Sequence, residues 1–302
     1  MSSFAQHVAT VHTPEDWHAV RRDLLAKLKS EIEPFAQSAT FDAAAYRAAP
    51  WATIASLSQL TQAIPFYLAR KFHNAQKVEI CAHHYSWMLG NVAPSPLTTL
   101  IERWLPLWAK EAGGTVYRVM LRVEQRLAAR EGEMTLRMLG DDLPHFSLSF
   151  SVIPAALIGR PSGPALLVSR MQGVKDQFET LRRASRALSD VAPRAVAFAV
   201  LTGIARACGV DHIAGVAAEN YITYMPERRD ELVRQYDEFF QALNAEGPRD
   251  GLYILDLRAP PKPMSEVKVG HRVRTRRKRA LKEEIAAATA EVWARRFALP
   301  RG

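Results

Sequence analysis

The chain has 302 residues, 48% of them hydrophobic and 24% charged, which supports a large packed core and excludes the disordered and fibrous classes. Its net charge of +9 is concentrated in Arg272, Arg274, Arg276, Arg277, Lys278, Arg279 and Lys282, a run with no acid in it. The remainder is close to neutral, so a general affinity for nucleic acid is not expected.

Cys81 and Cys208 lie in apolar surroundings without C-x-x-C spacing, which excludes a disulfide framework and fits a reducing compartment. Met1 to Thr13 carries neither a basic leader nor an apolar run. The longest apolar helix candidate, Ala195 to Ala205, is about half the ~20 residues that span a bilayer. The expected location is the cytoplasm, with peripheral contact to the inner membrane as an option.

In chain order, Thr13-Pro14-Glu15-Asp16 presents a capping hydroxyl, a proline for the first helical position and an acid three residues after the cap. Trp17, Val20, Leu24, Leu28 and Ile32 follow at helical spacing, and Pro34 is expected to stop the helix. More helix is expected within Ala43 to Arg70. From Lys77 to Trp87, Val78, Ile80 and Ala82 alternate with Glu79, Cys81 and His83, a strand signal. On a strand His83 and His84 face opposite ways, and Cys81 with His83 offers two ligands and no third, so no metal is expected. Ser95-Pro96 reads as cap and first residue of a helix holding Leu100, Ile101, Trp104 and Trp108, kinked or ended by Pro106.

Glu133 to Leu139 and Phe146 to Ile153 alternate around the turn Gly140-Asp141-Asp142 as a hairpin, and Ala165 to Arg170 continues the meander. Helices follow over Asp176 to Leu188 and Pro193 to Cys208, the second with proline in its first turn and Gly209 as its stop. Asp211 to Asn220 holds a short buried strand. Glu227 to Leu243 is a helix with Leu232, Tyr236, Phe239, Phe240 and Leu243 on one face, and Gly251 to Leu257 is the last strand. The predicted order is β-β-β-α-β-α-β. The chain is therefore read as α+β: a helical region over 1–115 with a short strand near 77–87, a mixed α/β core over 116–260, and a basic segment with an amphipathic helix over 261–302.

HHYSW at His83 to Trp87, REGEMTLRML at Arg130 to Leu139, FSLSFSVI at Phe146 to Ile153 and MQG at Met171 to Gly173 occur in that order. The stretch from Pro193 to Val216, RQYDEFF at Arg234 to Phe240, GLYILDL and RTRRKRALKEEI follow. Together they resemble the VirK/YbjX family of Gram-negative bacteria over roughly 81–285. Members of that family tend to carry a histidine-glycine pair before the corresponding proline, where this chain reads Leu188-Ser189-Asp190-Val191-Ala192-Pro193. The resemblance implies a link to virulence and to tolerance of envelope-damaging agents such as antimicrobial peptides. It implies no particular biochemical activity.

A second resemblance is to acyltransferases of the GNAT fold. In that fold an antiparallel meander ends in a strand that splays from the next, parallel one. Amides exposed there, with the following helix N-terminus, hold the diphosphate of an acyl carrier. Arg170-Met171-Gln172-Gly173 matches the first four positions of the fold's Arg/Gln-x-x-Gly-x-Gly/Ala signature, and Lys175 stands where a small residue is usual. The resemblance implies a GNAT-like sheet that binds an acyl-CoA or acyl-carrier protein thioester through Arg170, Gln172, Gly173 and Lys175. The acyl group would pass to an amine or hydroxyl. Tyr236 is then the candidate acid for the departing thiolate, Asn220 a further site residue, and Glu133, Glu131 or His84 the base. The same residues carry plainer readings: Gln172-Gly173 as a bend at a strand end, and Tyr236 as core beside Phe239 and Phe240.

The basic run leads into a helix with Leu281, Ile285, Val292, Trp293 and Phe297 broadly on one side. Three roles compete: docking back on the body, meeting an anionic membrane surface through Arg272, Arg274, Arg276, Arg277, Lys278 and Arg279, or binding nucleic acid. The last is least favoured, because no aromatics interleave with the arginines. A non-catalytic protein that binds a membrane or envelope partner is the alternative to the acyltransferase.

Overall fold

The computed structural model describes residues 13–38, 40–125, 130–174 and 177–299. Helix α1 (Pro14–Gln37) opens with a reciprocal capping box: the Asp16 amide donates to Thr13 Oγ1 (3.1 Å) and the Thr13 amide to Asp16 Oδ2 (2.9 Å). Pro34 does not stop it. Near a helix end a proline removes the partner of a single carbonyl, and the helix runs on to Gln37.

After α2 (Ala43–Ala48) and α3 (Trp51–Leu60) comes α4 (Asn74–Asn91), which corrects the strand expected near 77–87. Lys77, Ile80, Cys81, His84, Tyr85, Met88 and Leu89 are its buried residues, a spacing of three and four. The alternation over Val78 to His83 is a short sample of that longer period. Cys81 consequently shares a buried face with His84, not with His83. Helix α5 (Pro94–Glu102) takes Pro94, not Pro96, at its start and ends before Trp104.

Trp108 lies instead on β1 (Leu105–Ala112), which turns through Gly113-Gly114 into β2 (Thr115–Val123). Pro106 is tolerated in β1 because β1 is an edge strand. Strands β3 (Met134–Gly140), β4 (Leu143–Pro154) and β5 (Pro164–Gly173) form the expected meander. Helices α6 (Phe178–Ala187) and α7 (Pro193–Ala207) lead to β6 (His212–Val216). Helix α8, over 229–242, contains a π-helical turn, Val233–Asp237. Strands β7 (Glu246–Arg249) and β8 (Leu252–Asp256) follow, and then the long α9 (Arg272–Arg296).

The eight strands make one mixed sheet in the order β1-β2-β3-β4-β5-β6-β8-β7. β5 and β6 are parallel, and the other neighbours are antiparallel. From His145 to Ile153, β4 is buried at all but one position, and both α4 and α7 pack on it, so helices cover the sheet on both faces. α9 lies along α7 and reaches β1. A Cβ at Gly215 would overlap the Phe240 ring, so the absence of a side chain lets α8 lie against β6. One contiguous apolar core runs from Leu25 to Phe297, and α9 contributes Leu281, Ile285 and Trp293 to it.

Candidate functional site

β5 and β6 pair over three positions only: Leu166 with Ile213, Leu167 with Ala214, and Val168 with Gly215. Beyond them β5 stays bound to β4 and bulges between the partners of Ser149 and Phe150. The chain after β6 turns away through a short 3₁₀ turn, Ala218–Asn220. The two strands therefore part, and the gap is filled by side chains. Tyr236, in the π-helical turn of α8, accepts a hydrogen bond from the Met171 amide of β5 at 3.2 Å. Its ring lies 5.0 Å from that of Tyr221. Tyr221 donates to Glu131 Oε1 at 2.6 Å, and Glu131 Oε2 pairs with Arg170 Nε at 3.0 Å. Arg170 also bonds Gln172, and the Ser169 hydroxyl donates to the Glu131 carbonyl.

Burial, reinforced by Tyr221, holds the Tyr236 phenol well above its ordinary range. Burial and then Glu131 push Tyr221 up to about 12. Both phenols thus keep their protons at neutral pH. The outer end of this series is wetter, with Glu131 and Arg170 retaining 12% and 20% of their side-chain exposure. A line of hydroxyls leads from the buried strand edge to a partly exposed carboxylate.

Next to it, Gly173 opens onto a cleft of about 440 Å³ lined by Arg182, Arg186 and Arg194 and by the N-terminus of α7. A Cβ at Gly173 would meet only Leu181 Cδ1, at 3.8 Å, so nothing inside the fold requires glycine there. Ser189 and Asp190 join α6 to α7 with left-handed φ of 53° and 61°. Asp190 pairs with Arg274 at 2.8 Å, which brings the basic segment to the same rim. Lys175 and the expected helix start at Asp176 lie outside the described residues.

The remaining candidates are elsewhere. Asn220 is half of a tie: its Oδ1 accepts from the Lys71 amide (2.8 Å) and its Nδ2 donates to the Gly251 carbonyl (3.3 Å). Glu133 and His84 belong to a second cluster with no solvent exposure. Glu133 is bound by Arg21 (Nη2 to Oε2, 2.5 Å), by Tyr85 (2.5 Å) and by Tyr67. Burial is the largest single influence and raises its pKa, but the Arg21 guanidinium, His84 and the hydrogen bonds from Arg21 and Tyr67 together outweigh it and leave the carboxyl below its usual value. His84 Nδ1 accepts from the Val152 amide at 3.1 Å, which places the proton of the neutral ring on Nε2. Burial pulls this imidazole down to about 4.

The structure sets Tyr236 against the Met171 amide, next in the chain to Arg170 and Gln172, while Gly173 opens onto the neighbouring cleft. Sequence reasoning missed Tyr221, Arg21, Tyr67 and Tyr85. Tyr221 had a signal, being next to Asn220 after the strand; Arg21 is one of two adjacent arginines on α1, with nothing local to set it apart.

The basic segment forms the first turns of α9. Arg272 donates to the Val267 and Ser265 carbonyls (3.0 and 3.2 Å), while Arg276 and Arg277 are exposed. Among the described residues no helix is long and apolar enough to cross a membrane.

Fold and site together define an α+β protein with a helical N-terminal region and an eight-stranded mixed sheet, whose parallel pair parts around a tyrosine. Over residues 38–291 the chain matches the family described as a protein of unknown function (DUF535), and it belongs to that family. The VirK/YbjX family is this domain. No curated protein and no solved structure matches the chain.

Proposed function

We propose that the chain is an acyltransferase with a GNAT-like sheet, moving an acyl group from an acyl-CoA or acyl-carrier protein thioester to an amine or hydroxyl. The observation that carries this reading is the parting of β5 from β6 after three residue pairs, with a tyrosine of α8 at the apex. The order β6-β8-β7, which inserts the last strand between its two predecessors, supports it. So does the basic cleft beside Gly173, where a diphosphate would meet Arg182, Arg186 and Arg194 at the N-terminus of α7. Side chains fill the gap itself. A pantetheine arm would reach the Met171 amide only by taking it from the Tyr236 hydroxyl.

In the transfer the acyl carbon–sulfur bond breaks while a bond to the acceptor nitrogen or oxygen forms. Tyr236 gives its proton to the departing thiolate and regains one through Tyr221, and Glu131 at the solvent end takes the proton of the acceptor. Glu133 and His84 drop out of this scheme, because neither has any solvent exposure.

Titration calorimetry of the full chain with coenzyme A and with an acyl-carrier protein tests the proposal. Binding is expected and should be abolished by Gly173→Glu, at a position where an added Cβ has room. A wild-type chain that binds neither carrier removes the reading. The exposed Arg276 and Arg277, which have no acidic partner among the described residues, favour a second one: a non-catalytic membrane or envelope-partner binder. That reading requires salt-sensitive binding to anionic vesicles that is lost when Arg272 to Lys282 is deleted.

A further inference from the structure

A separate groove of about 640 Å³ lies near the start of β6, the end away from the parted strands. It runs between α7, the end of α8, the end of β8, the segment Ala259-Pro260-Pro261 and α9. Its floor is apolar, with Phe198, Phe239, Leu243 and Ile254, and the volume is that of a pocket for one small ligand, roughly 300–1,000 Å³.

The charges on its lining are unequally matched. Each carboxylate has its own cation: Asp256 bonds Arg258 at 3.3 Å, Glu246 pairs with Arg160 at 3.1 Å, and Glu283 takes Arg206 at 2.9 Å. Arg279 and Lys282 remain. They stand one turn apart on the same face of α9. Among the described residues neither has an acidic partner, and the Arg279 guanidinium bonds the Met264 sulfur, at 3.5 Å. Burial, with Arg279 and Lys278 alongside, pulls the half-buried Lys282 ammonium below its ordinary value, as expected of a cation without a counter-ion. An apolar floor bounded on one side by two unmatched cations is complementary to a molecule with one hydrocarbon chain and one negative end.

We infer that this groove binds a long-chain fatty acid, with its chain on the Phe198 and Phe239 floor and its carboxylate between Arg279 and Lys282. The site is independent of the acyl-carrier reading, since it shares no residue with the Gly173 cleft.

Calorimetric titration of the full chain with monomeric hexadecanoate tests it. One-site saturable binding is expected, weakened about tenfold or more in Arg279→Ser/Lys282→Ser, the consequence of losing charge-assisted hydrogen bonds. Thr202→Trp, which places an indole over the floor and leaves both cations, should abolish binding. Methyl hexadecanoate, with the same chain and no charge, should bind about tenfold or more weakly. Arg276→Ser/Arg277→Ser, outside the groove, should bind as the wild type does, and circular dichroism reports whether each variant is folded. The inference is overturned if the wild type shows no saturable binding, or if acid and ester bind alike. It is equally overturned if binding survives Thr202→Trp and falls instead with Arg276→Ser/Arg277→Ser, or occurs only with phosphatidylglycerol vesicles, since either outcome makes the basic surface the ligand site.

Discussion

His84 makes the stability of this protein depend on pH across a range in which few other side chains titrate. Its ring is wholly buried beside Tyr85, with Arg21, Glu133 and His83 as its charged or titratable neighbours. Burial is the main reason its pKa falls from 6.5 to about 4, with Glu133 opposing the shift and Arg21 adding to it. Because the folded value is the lower one, the unfolded chain takes up the proton first. Full stability is present above 6.5 and is lost as pH falls toward 4. At about 1.36 kcal/mol per unit, the loss from this one group approaches 3 kcal/mol at pH 4 and is about 2 kcal/mol at pH 5. Glu133 adds its own loss only below its unfolded value of 4.5, so measurements above pH 5 separate the two. The assay is urea denaturation of wild type and His84→Asn from pH 5 to 8. Asn Oδ1 retains an acceptor for the Val152 amide, so the variant should fold with lower stability and a flatter pH profile, by about 2 kcal/mol over the window. Parallel profiles for the two proteins would refute the reasoning.

Arg21→Met should cost about 3–5 kcal/mol by leaving the Glu133 charge buried alone, and Arg21→Met/Glu133→Gln should recover most of that, as a double-mutant cycle in urea would show. Tyr236→Phe removes one hydrogen bond, at about 1 kcal/mol, and releases the Met171 amide; on the acyltransferase reading coenzyme A binds it at least as tightly while turnover falls, with calorimetry and a thiol-release assay as the checks. Gly215→Val should lower the thermal midpoint sharply, because the added side chain must displace the Phe240 ring, whereas Gly173→Ala should leave it unchanged.

Some of the errors in reading the sequence have simple physical sources. Residues 77–87 read as a strand because six residues alternate, yet the buried set Lys77, Ile80, Cys81, His84, Tyr85, Met88 and Leu89 carries the helical period over a longer window. The hairpin of β1 and β2 had its signal in Gly113-Gly114, with φ of 59° and 75°, between two apolar runs. β7 had none. All four of its residues are exposed, and it becomes a strand only because β8 offers a free edge.

What the sequence by itself determined is the set of local choices: the Thr13 capping box, the meander of β3, β4 and β5, the start of α7 at Pro193, and the concentration of charge in α9. Each depends on residues within one turn or one strand of each other, where the backbone leaves few alternatives. The pairing of distant groups was decided only in three dimensions. Met171 and Tyr236 are 65 residues apart, Glu131 and Tyr221 are 90, and Arg21 and Glu133 are 112. Whether such side chains meet depends on the rotation of a helix about its axis and the register of a strand. Those are set by the packing of the whole core, which no short stretch of sequence contains.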